Sequence, residues 1–414
     1  MQPTSQIVEH FFRHEYGRIV SHLAGKFGVD HLEEVEDAVQ EALYKAMQSW
    51  PFAGVPSNSS AWILQVARNK LIDNYRKANT LAKKSAAIRE SQTQDEQPVD
   101  LDLNHVLNDD LLKMLFACCD PRINEEHQVI LALRILCGFS AKEVAQAFLR
   151  SEEAVGKTYQ RAKEKLREAG YSPQVPLGKD LNDRLDSILK TLYLLFNEGY
   201  KASHGNALIR KDLCEEAIRL AELIVEDKLL RKPAVQSLLA LMYFQVSRFD
   251  SRIDKDGKLL TLEEQDRSLW NKELINKGLE YIEKATGFGP VGEYYIQASM
   301  AACHCLAKDF QSTDWKKILA LYDLNLSINP GKIVALNRLV AVARVAGDWQ
   351  AFEELEKLHD ETLEKFYLYH AIRGSLLATL QRKDEAKEAY RKASTLTDNQ
   401  LEKAYLFEKA AKLS

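Results

Sequence analysis

Along nearly the whole chain apolar residues return every third or fourth position, so each stretch can bury one stripe of a helix and leaves the other wet. VEDAVQEALYKA puts Val35, Val39, Ala42, Leu43 and Ala46 on one side and Asp37, Gln40, Glu41 and Tyr44 on the other. AWILQVARNKLIDNYRK does the same with Ile63, Val66, Ala67 and Leu71. Strong helix formers dominate, and only 18 Gly and 10 Pro punctuate 414 residues, a composition that favours helix over sheet. The chain is long enough for two or three compact units, each with its own core. An all-α, multi-domain protein is expected.

The helical blocks are separated by weaker stretches. Dense periodicity covers residues 6 to 77, and residues 79 to 102 are polar and poor in large apolar side chains, which reads as a linker with a helical start. A second block runs from about 103 to 170 and ends where Pro173, Pro176 and Gly178 supply breakers. From about 180 onward the chain is a succession of amphipathic helices with alanine-rich faces, the composition of stacked helix pairs. Gly374, Ala386, Tyr390 and Ala393 have the offsets of the small and aromatic positions of a tetratricopeptide unit. Ala341 and the Gly347-Asp348 turn suggest a looser copy one period earlier, and Trp315 to Pro330 reads as the second helix of another.

Charge and cysteine usage exclude several classes. A formal net charge of -4 argues against a free-standing protein that coats nucleic acid, so any DNA binding is local or shared with a partner. The six cysteines form no CxxC pair or disulfide framework, and no secretory leader opens the sequence, which predicts a cytoplasmic protein. Charge interrupts every strongly apolar stretch within about ten positions, too soon for a membrane helix. Asp254, Asp256, Gly257 and Glu263 imitate a calcium loop whose first position is Arg252, a cation among would-be ligands. His10 and His14 lack the Glu of a zinc protease motif, and adjacent Cys303, His304 and Cys305 diverge around their helix. Neither a phosphate-binding glycine loop nor a nucleophile elbow occurs. No catalytic residue, metal or cofactor is predicted.

The clearest local structure lies in the second block. Ser140 with Glu143 is a capping box opening AKEVAQAF, and Ser151 with Glu152 and Glu153 starts a helix running to about Glu168. Two helices across a tight turn make a helix-turn-helix. On the second, Val155, Tyr159, Ala162 and Leu166 form the buried stripe and Glu153, Lys157, Arg161 and Lys165 the exposed one, a face suited to a major groove. In the first block, the acidic and amide stripe of Asp37, Gln40, Glu41 and Tyr44 suits a protein surface rather than phosphate. The loop PFAGVPSNSS, with Asn58, precedes a helix that mixes Arg68, Asn69, Lys70, Asp73, Arg76 and Lys77 with Trp62 and Tyr75, a recipe for holding single-stranded nucleic acid.

The order D-x-V-Q-E, W-P, a Gly/Pro/Asn loop, A-W-I-x-x-V-A-R-N-x-x-I-D-x-x-R, linker and helix-turn-helix resembles the extracytoplasmic-function (ECF) RNA polymerase sigma factors across residues 6 to 170. The resemblance implies a region 2 domain at 1–78, a linker at 79–102 and a region 4 helix-turn-helix at 103–172. Asp37, Gln40, Glu41 and Tyr44 would then bind core RNA polymerase, on the clamp helices of its largest subunit, with the flap as a further contact. Asn58, Trp62, Arg68, Asn69, Asp73, Arg76 and Lys77 would read and melt the minus-10 element of promoter DNA, and Ser151, Glu153, Lys157, Arg161 and Lys165 would read the minus-35 element. The final helix departs from the family's denser arginine run, with GKTYQRAKEKLR in its place.

The resemblance extends to the subgroup fused to a C-terminal tetratricopeptide-like superhelix, here 180–414, through LLFNEGY, RKDLCEEAIRLAELI, the Gln265 to Trp270 motif, VALNRLVAVARVAG and LYHAIRGSLLATL. It implies that this extension is a built-in regulator answering a protein or small-molecule signal. Asn197, Glu198 and Tyr200 beside Gly199 read as a helix end with a left-handed glycine cap, or as a contact site, with Glu198 and Arg210 a candidate buried pair. Two rival readings are a stand-alone helix-turn-helix regulator with a sensory repeat domain, and a repeat scaffold in which DNA binding is incidental.

Overall fold

The structure, a computed structural model, describes residues 4–81, 100–148, 150–170, 175–176, 178–200, 210–255, 258, 260–287 and 291–413. Among the described residues every regular element is helical, with no β-strand. The chain divides into two compact units, residues 1–146 with 150–192, and residues 147–149 with 193–414.

The first unit is organised around α1 (Thr4–Phe27), which packs on α2 (Leu32–Ala53), α3 (Ser59–Leu81) and α4 (Asp100–Cys118). Its Ile19, Val20 and Leu23 meet a fully buried set that includes Val35 and Val39 of α2 and Ile63 and Leu71 of α3. The helix α5 (Glu125–Leu131) widens into a π-turn over Ala132–Leu136, followed by α6 (Ala141–Phe148) and α7 (Glu152–Ala169). Gly17 of α1 sits against that π-turn so closely that a Cβ would lie 2.0 Å from the Leu136 carbonyl oxygen. Only glycine lets the two backbones meet there.

Two local expectations change. The helix α2 continues through Pro51 to Ala53 and ends at Gly54, whose φ of 84° is in the left-handed region, so the loop before α3 is 54–58 rather than the whole of PFAGVPSNSS. Pro51 removes the amide that would bond back to Met47, so its cost falls on the turn before it, and α2 carries that loss without ending there. The segment 79–102 is helical at both ends, to Leu81 and from Asp100; residues 82–99 lie outside the described residues.

Residues 179–192 of α8 (Lys179–Tyr200) also belong to the first unit. Arg184 pairs with the buried Asp120 at 2.8 Å, and Thr191 donates to Gln128 at 2.7 Å.

In the second unit successive helices pack on one another: α9 (Lys211–Glu226), α10 (Pro233–Val246), α11 (Lys272–Lys284), α12 (Glu293–Leu306), α13 (Trp315–Ile328), α14 (Lys332–Ala346), α15 (Asp348–Leu358), α16 (Tyr367–Thr379), α17 (Lys383–Leu396) and α18 (Gln400–Ala411). Where α16 meets α17, a Cβ at Gly374 would lie 2.9 Å from the Tyr390 ring, and Ala386 and Ala393 are fully buried. Small residues set the approach of these two helices and the aromatic fills between them.

Gly17 and Gly156 make a matched test. Alanine at Gly17 must push the π-turn away and should cost about 1–3 kcal/mol of unfolding free energy. Alanine at Gly156, an α7 position with nothing within 4 Å of its Cβ, should stabilise by roughly 0.5–1 kcal/mol through helix propensity. Urea unfolding of both variants checks this.

Candidate polymerase and nucleic-acid interface

The helix-turn-helix is built by its caps. Ser140 Oγ accepts from the Glu143 amide at 3.2 Å while the Ser140 amide donates to Glu143 Oε2 at 2.7 Å. Ser151 Oγ accepts from the Ala154 amide at 3.1 Å and starts α7. On α7, Val155, Tyr159, Ala162 and Leu166 are buried, and Glu153, Lys157, Arg161 and Lys165 are exposed. Lys157 pairs with Glu153 at 2.6 Å and Lys165 with Glu168 at 2.5 Å. Arg161 has no ion pair among the described residues, which leaves its guanidinium available to a groove.

A second face of α7 packs on α2. The Tyr159 hydroxyl donates to Glu36 Oε1 at 2.7 Å, and the Tyr16 hydroxyl of α1 donates to the same oxygen at 3.0 Å. Lys163, only 3% exposed, lies 2.7 Å from Glu33 Oε1 and 3.8 Å from Glu36 Oε2. The Arg134 guanidinium lies 5.0 Å from the centre of the Tyr159 ring. Burial raises the Glu36 carboxyl, and the donors Tyr159, Lys163, Arg134 and Tyr16 pull it partly back. Glu33 is held below the usual range by its hydrogen bond to Lys163 and that lysine's charge. The packing is extended by Arg13, paired with Glu143 at 2.6 Å and stacked 4.3 Å over Phe139. His22 contacts Asp110 at 2.7 Å.

The predicted polymerase-facing stripe divides. Asp37 and Gln40 form one wall of a cleft of about 320 Å³ whose other wall includes Gly156, Tyr159, Gln160 and Lys163. Glu41 pairs with Lys70 at 2.7 Å and Lys45 at 2.9 Å, which lowers its carboxyl. Tyr44 and Met47 are more than half exposed.

In the expected single-strand site, Asn58 Oδ1 accepts from the Ala61 amide at 2.8 Å and caps α3. Trp62 is half-buried, edge-on to Trp50 at 5.6 Å. Arg68 is half-buried, and Asn69, Asp73 and Arg76 are exposed, with Asn69 accepting from Gln65 at 2.9 Å. The Lys77 side chain lies outside the described residues. One component needs correction: Tyr75 stacks on Phe27 at 5.7 Å and meets His31 edge-on, so one face of its ring is already occupied. Sequence reasoning passed over Phe52, which is 92% exposed, and Val55, 68% exposed. The signal for Phe52 was an aromatic beside Pro51 with no periodic apolar partner.

In the C-terminal polar cluster Asn197, Glu198 and Tyr200 are half-buried on α8. Arg210 forks onto Asp212 at 2.8 and 3.1 Å, and its amide donates to the Gly199 carbonyl at 2.7 Å. Gly199 is not a left-handed cap: it lies inside α8, and a Cβ there would come within 2.8 Å of the Arg210 carbonyl oxygen and of Cys214 Sγ. The residue is needed for close approach, not for a turn.

Residues 12–80, which span α1 to α3, match sigma-70 region 2, and residues 184–286 match a family of unknown function, DUF6596. The uncharacterized protein R00370 of Rhizobium meliloti (strain 1021) is 37% identical over 379 residues, 91% of this chain and 89% of that protein. The chain belongs to the family of that rhizobial protein. The ECF RNA polymerase sigma factor SigX of Bacillus subtilis (strain 168) is 28% identical over 139 residues, 32% of this chain and 69% of the relative. The region 2 match and the Bacillus relative together support a sigma factor, which is not an enzyme class. Among the described residues no helix is long and apolar enough to cross a membrane, and no cluster of His, Cys, Asp and Glu could hold a metal ion.

Removing Lys163 leaves Glu36 buried without its cation, so Lys163→Met should cost about 3 kcal/mol, whereas Lys165→Met should stay within about 0.5 kcal/mol. The two acids act in opposite senses with pH. Because the Glu36 pKa is raised in the fold, its contribution is complete below the ordinary carboxylate value and is lost as pH rises through the raised one. Because the Glu33 pKa is depressed, its contribution is present above the ordinary value and is lost as pH falls through the depressed one. Urea midpoints from about pH 4 to 8 should therefore lose their higher-pH decline in Glu36→Gln and part of their acid decline in Glu33→Gln.

Proposed function

We propose that this protein is a sigma factor of the ECF type that binds core RNA polymerase and directs promoter-specific initiation. The observation that carries the reading is the region 2 match lying on a three-helix unit that is followed by a capped helix-turn-helix with an exposed cationic stripe. In this reading 1–78 is region 2, 79–102 the linker, 103–172 region 4 and 180–414 a tetratricopeptide-like domain that modulates activity in response to a protein or small-molecule signal. The protein acts in the cytoplasm.

Asp37, Gln40, Glu41 and Tyr44 dock on the clamp helices, and region 4 also meets the flap. Asn58, Trp62, Arg68, Asn69, Asp73, Arg76 and Lys77 hold the minus-10 strand, joined by Phe52, whose free ring is the better stacking platform. Ser151, Glu153, Lys157, Arg161 and Lys165 face the minus-35 groove. Asp37 and Gln40 share a cleft with α7, so docking on that stripe requires α7 to move away from α2.

Run-off transcription with core polymerase tests this. The full chain should initiate at specific promoters from a genomic pool; a chain that neither binds core enzyme nor initiates removes the reading. Asp37→Lys with Glu41→Lys should weaken core binding at least about tenfold, a loss of about 1.4 kcal/mol. Phe52→Ala should slow open-complex formation with unchanged thermal stability. Arg161→Glu should lower promoter affinity without altering core binding, and unaltered promoter affinity would withdraw α7 as the reading helix. A truncation to test modulation is best placed after Leu192, which keeps the α8 contacts to Asp120 and Gln128.

A further inference from the structure

Three arginines in the second unit are buried or half-buried together. Arg248 and Arg252 are 8% and 7% exposed, and among the described residues neither they nor Arg267 forms an ion pair with a carboxylate. They interleave with aromatic rings: Arg252 lies 4.0 Å from the centre of the Tyr200 ring, and Arg248 and Arg267 lie 5.6 and 5.0 Å from that of Trp270. Such contacts offset only part of what a buried charge costs on its own.

Helix ends account for two of the three. Arg252 donates to the Tyr200 carbonyl at the end of α8. Arg267 donates to the carbonyls of His304 and Ala307 at 2.6 and 2.8 Å, at the end of α12. Carbonyls at a helix C-terminus carry partial negative charge and suit a cation.

Arg248 is different. Among the described residues its Nη2 meets only neutral acceptors, the Tyr200 hydroxyl at 2.6 Å and Gln245 Oε1, and its Nε has no partner. Trp270, 3% exposed, has an indole Nε1, and His304 an Nδ1, with no partner among the described residues. Burial, then the charges of Arg248 and Arg267, push His304 down to about 4. Buried donors left open in this way call for an acceptor.

We propose that Arg248, Trp270 and His304 form a binding site for an oxyanion, the carboxylate or phosphate group of a small ligand. Arg248 Nε and Trp270 Nε1 donate to the ligand's oxygens, and Arg252 and Arg267 supply the surrounding positive field. His304, the least buried of the three, marks the side of entry. The inference rests on the cation cluster alone and stands whether or not the chain binds polymerase.

The test is thermal unfolding and calorimetry of the full chain with sodium phosphate and, separately, sodium acetate, each against sodium chloride at equal ionic strength. A saturable rise in the unfolding midpoint with one of the two is expected, and which one responds identifies the group. Arg248→Gln should abolish the response, while Arg338→Gln, which removes a cation already paired with Asp323 and Glu354, should keep it. Should Arg248→Gln fail to fold, Trp270→Phe keeps an aromatic ring, removes the donor and should weaken binding about tenfold, the order expected for one hydrogen bond to a charged group. Histidine NMR should show the His304 pKa rising in the ligand. No response above chloride from either anion, or a response that survives loss of Arg248 or of the Trp270 donor, overturns the site.

Discussion

The carboxylate of Glu36 is the point on which the arrangement of the first unit turns. A side chain 6% exposed between α1, α2 and α7 must find donors, and it finds a phenol from Tyr16, a phenol from Tyr159 and an ammonium from Lys163. Two of those donors come from the helix-turn-helix, so the carboxylate is satisfied only while α7 lies on α2. In low-dielectric surroundings the attraction between such charges is strong, and so is the penalty for taking them out of water. The net stabilisation is therefore small, even though the two phenol hydrogen bonds are short, and the Lys163 ammonium stands off at 3.8 Å. A contact of that kind specifies one arrangement while adding little net stability.

Gly17 supplies what the polar network lacks. Hydrogen bonds to Glu36 fix the orientation of α7, but the distance between α1 and the π-turn at 132–136 is set by the missing Cβ at Gly17. The π-turn widens the helix where that backbone approaches. Of two further cross-links, Arg13 to Glu143 lies closer to water and adds little, whereas His22, which contacts Asp110, is as buried as Glu36.

Much of this was legible in the sequence, and the division follows from range. Capping boxes and amphipathic stripes are local, so Ser140, Glu143, Ser151 and the two faces of α7 could be read directly, as could the small residues at Gly374, Ala386 and Ala393. Glu36 and Lys163 could not: both look like solvated positions on a charged helix, and only a partner more than a hundred residues away makes them buried. Gly199 misled for the same reason, since a glycine near a helix end usually signals a left-handed cap, while here α9 approaches it from outside α8. Pro51 also reads as a loop residue, yet α2 runs on through it to Ala53. The three arginines of the second unit are scattered among ordinary charges in the sequence, and their common burial is a product of the fold.

The two faces of α7 have different surroundings. Glu153, Lys157, Arg161 and Lys165 remain exposed while Tyr159 and Lys163 are engaged with α2, because residues four apart return to one side of a helix and residues two apart do not. The packing of α7 therefore leaves its exposed charged stripe open to solvent and bears on α2, where Asp37 and Gln40 face the cleft. If α2 is the polymerase contact, the closed arrangement restrains recruitment more than DNA recognition. A polymerase that separates α2 from α7 must leave Glu36 exposed to water rather than buried and unpaired, and hydration then offsets most of what the lost contacts contributed.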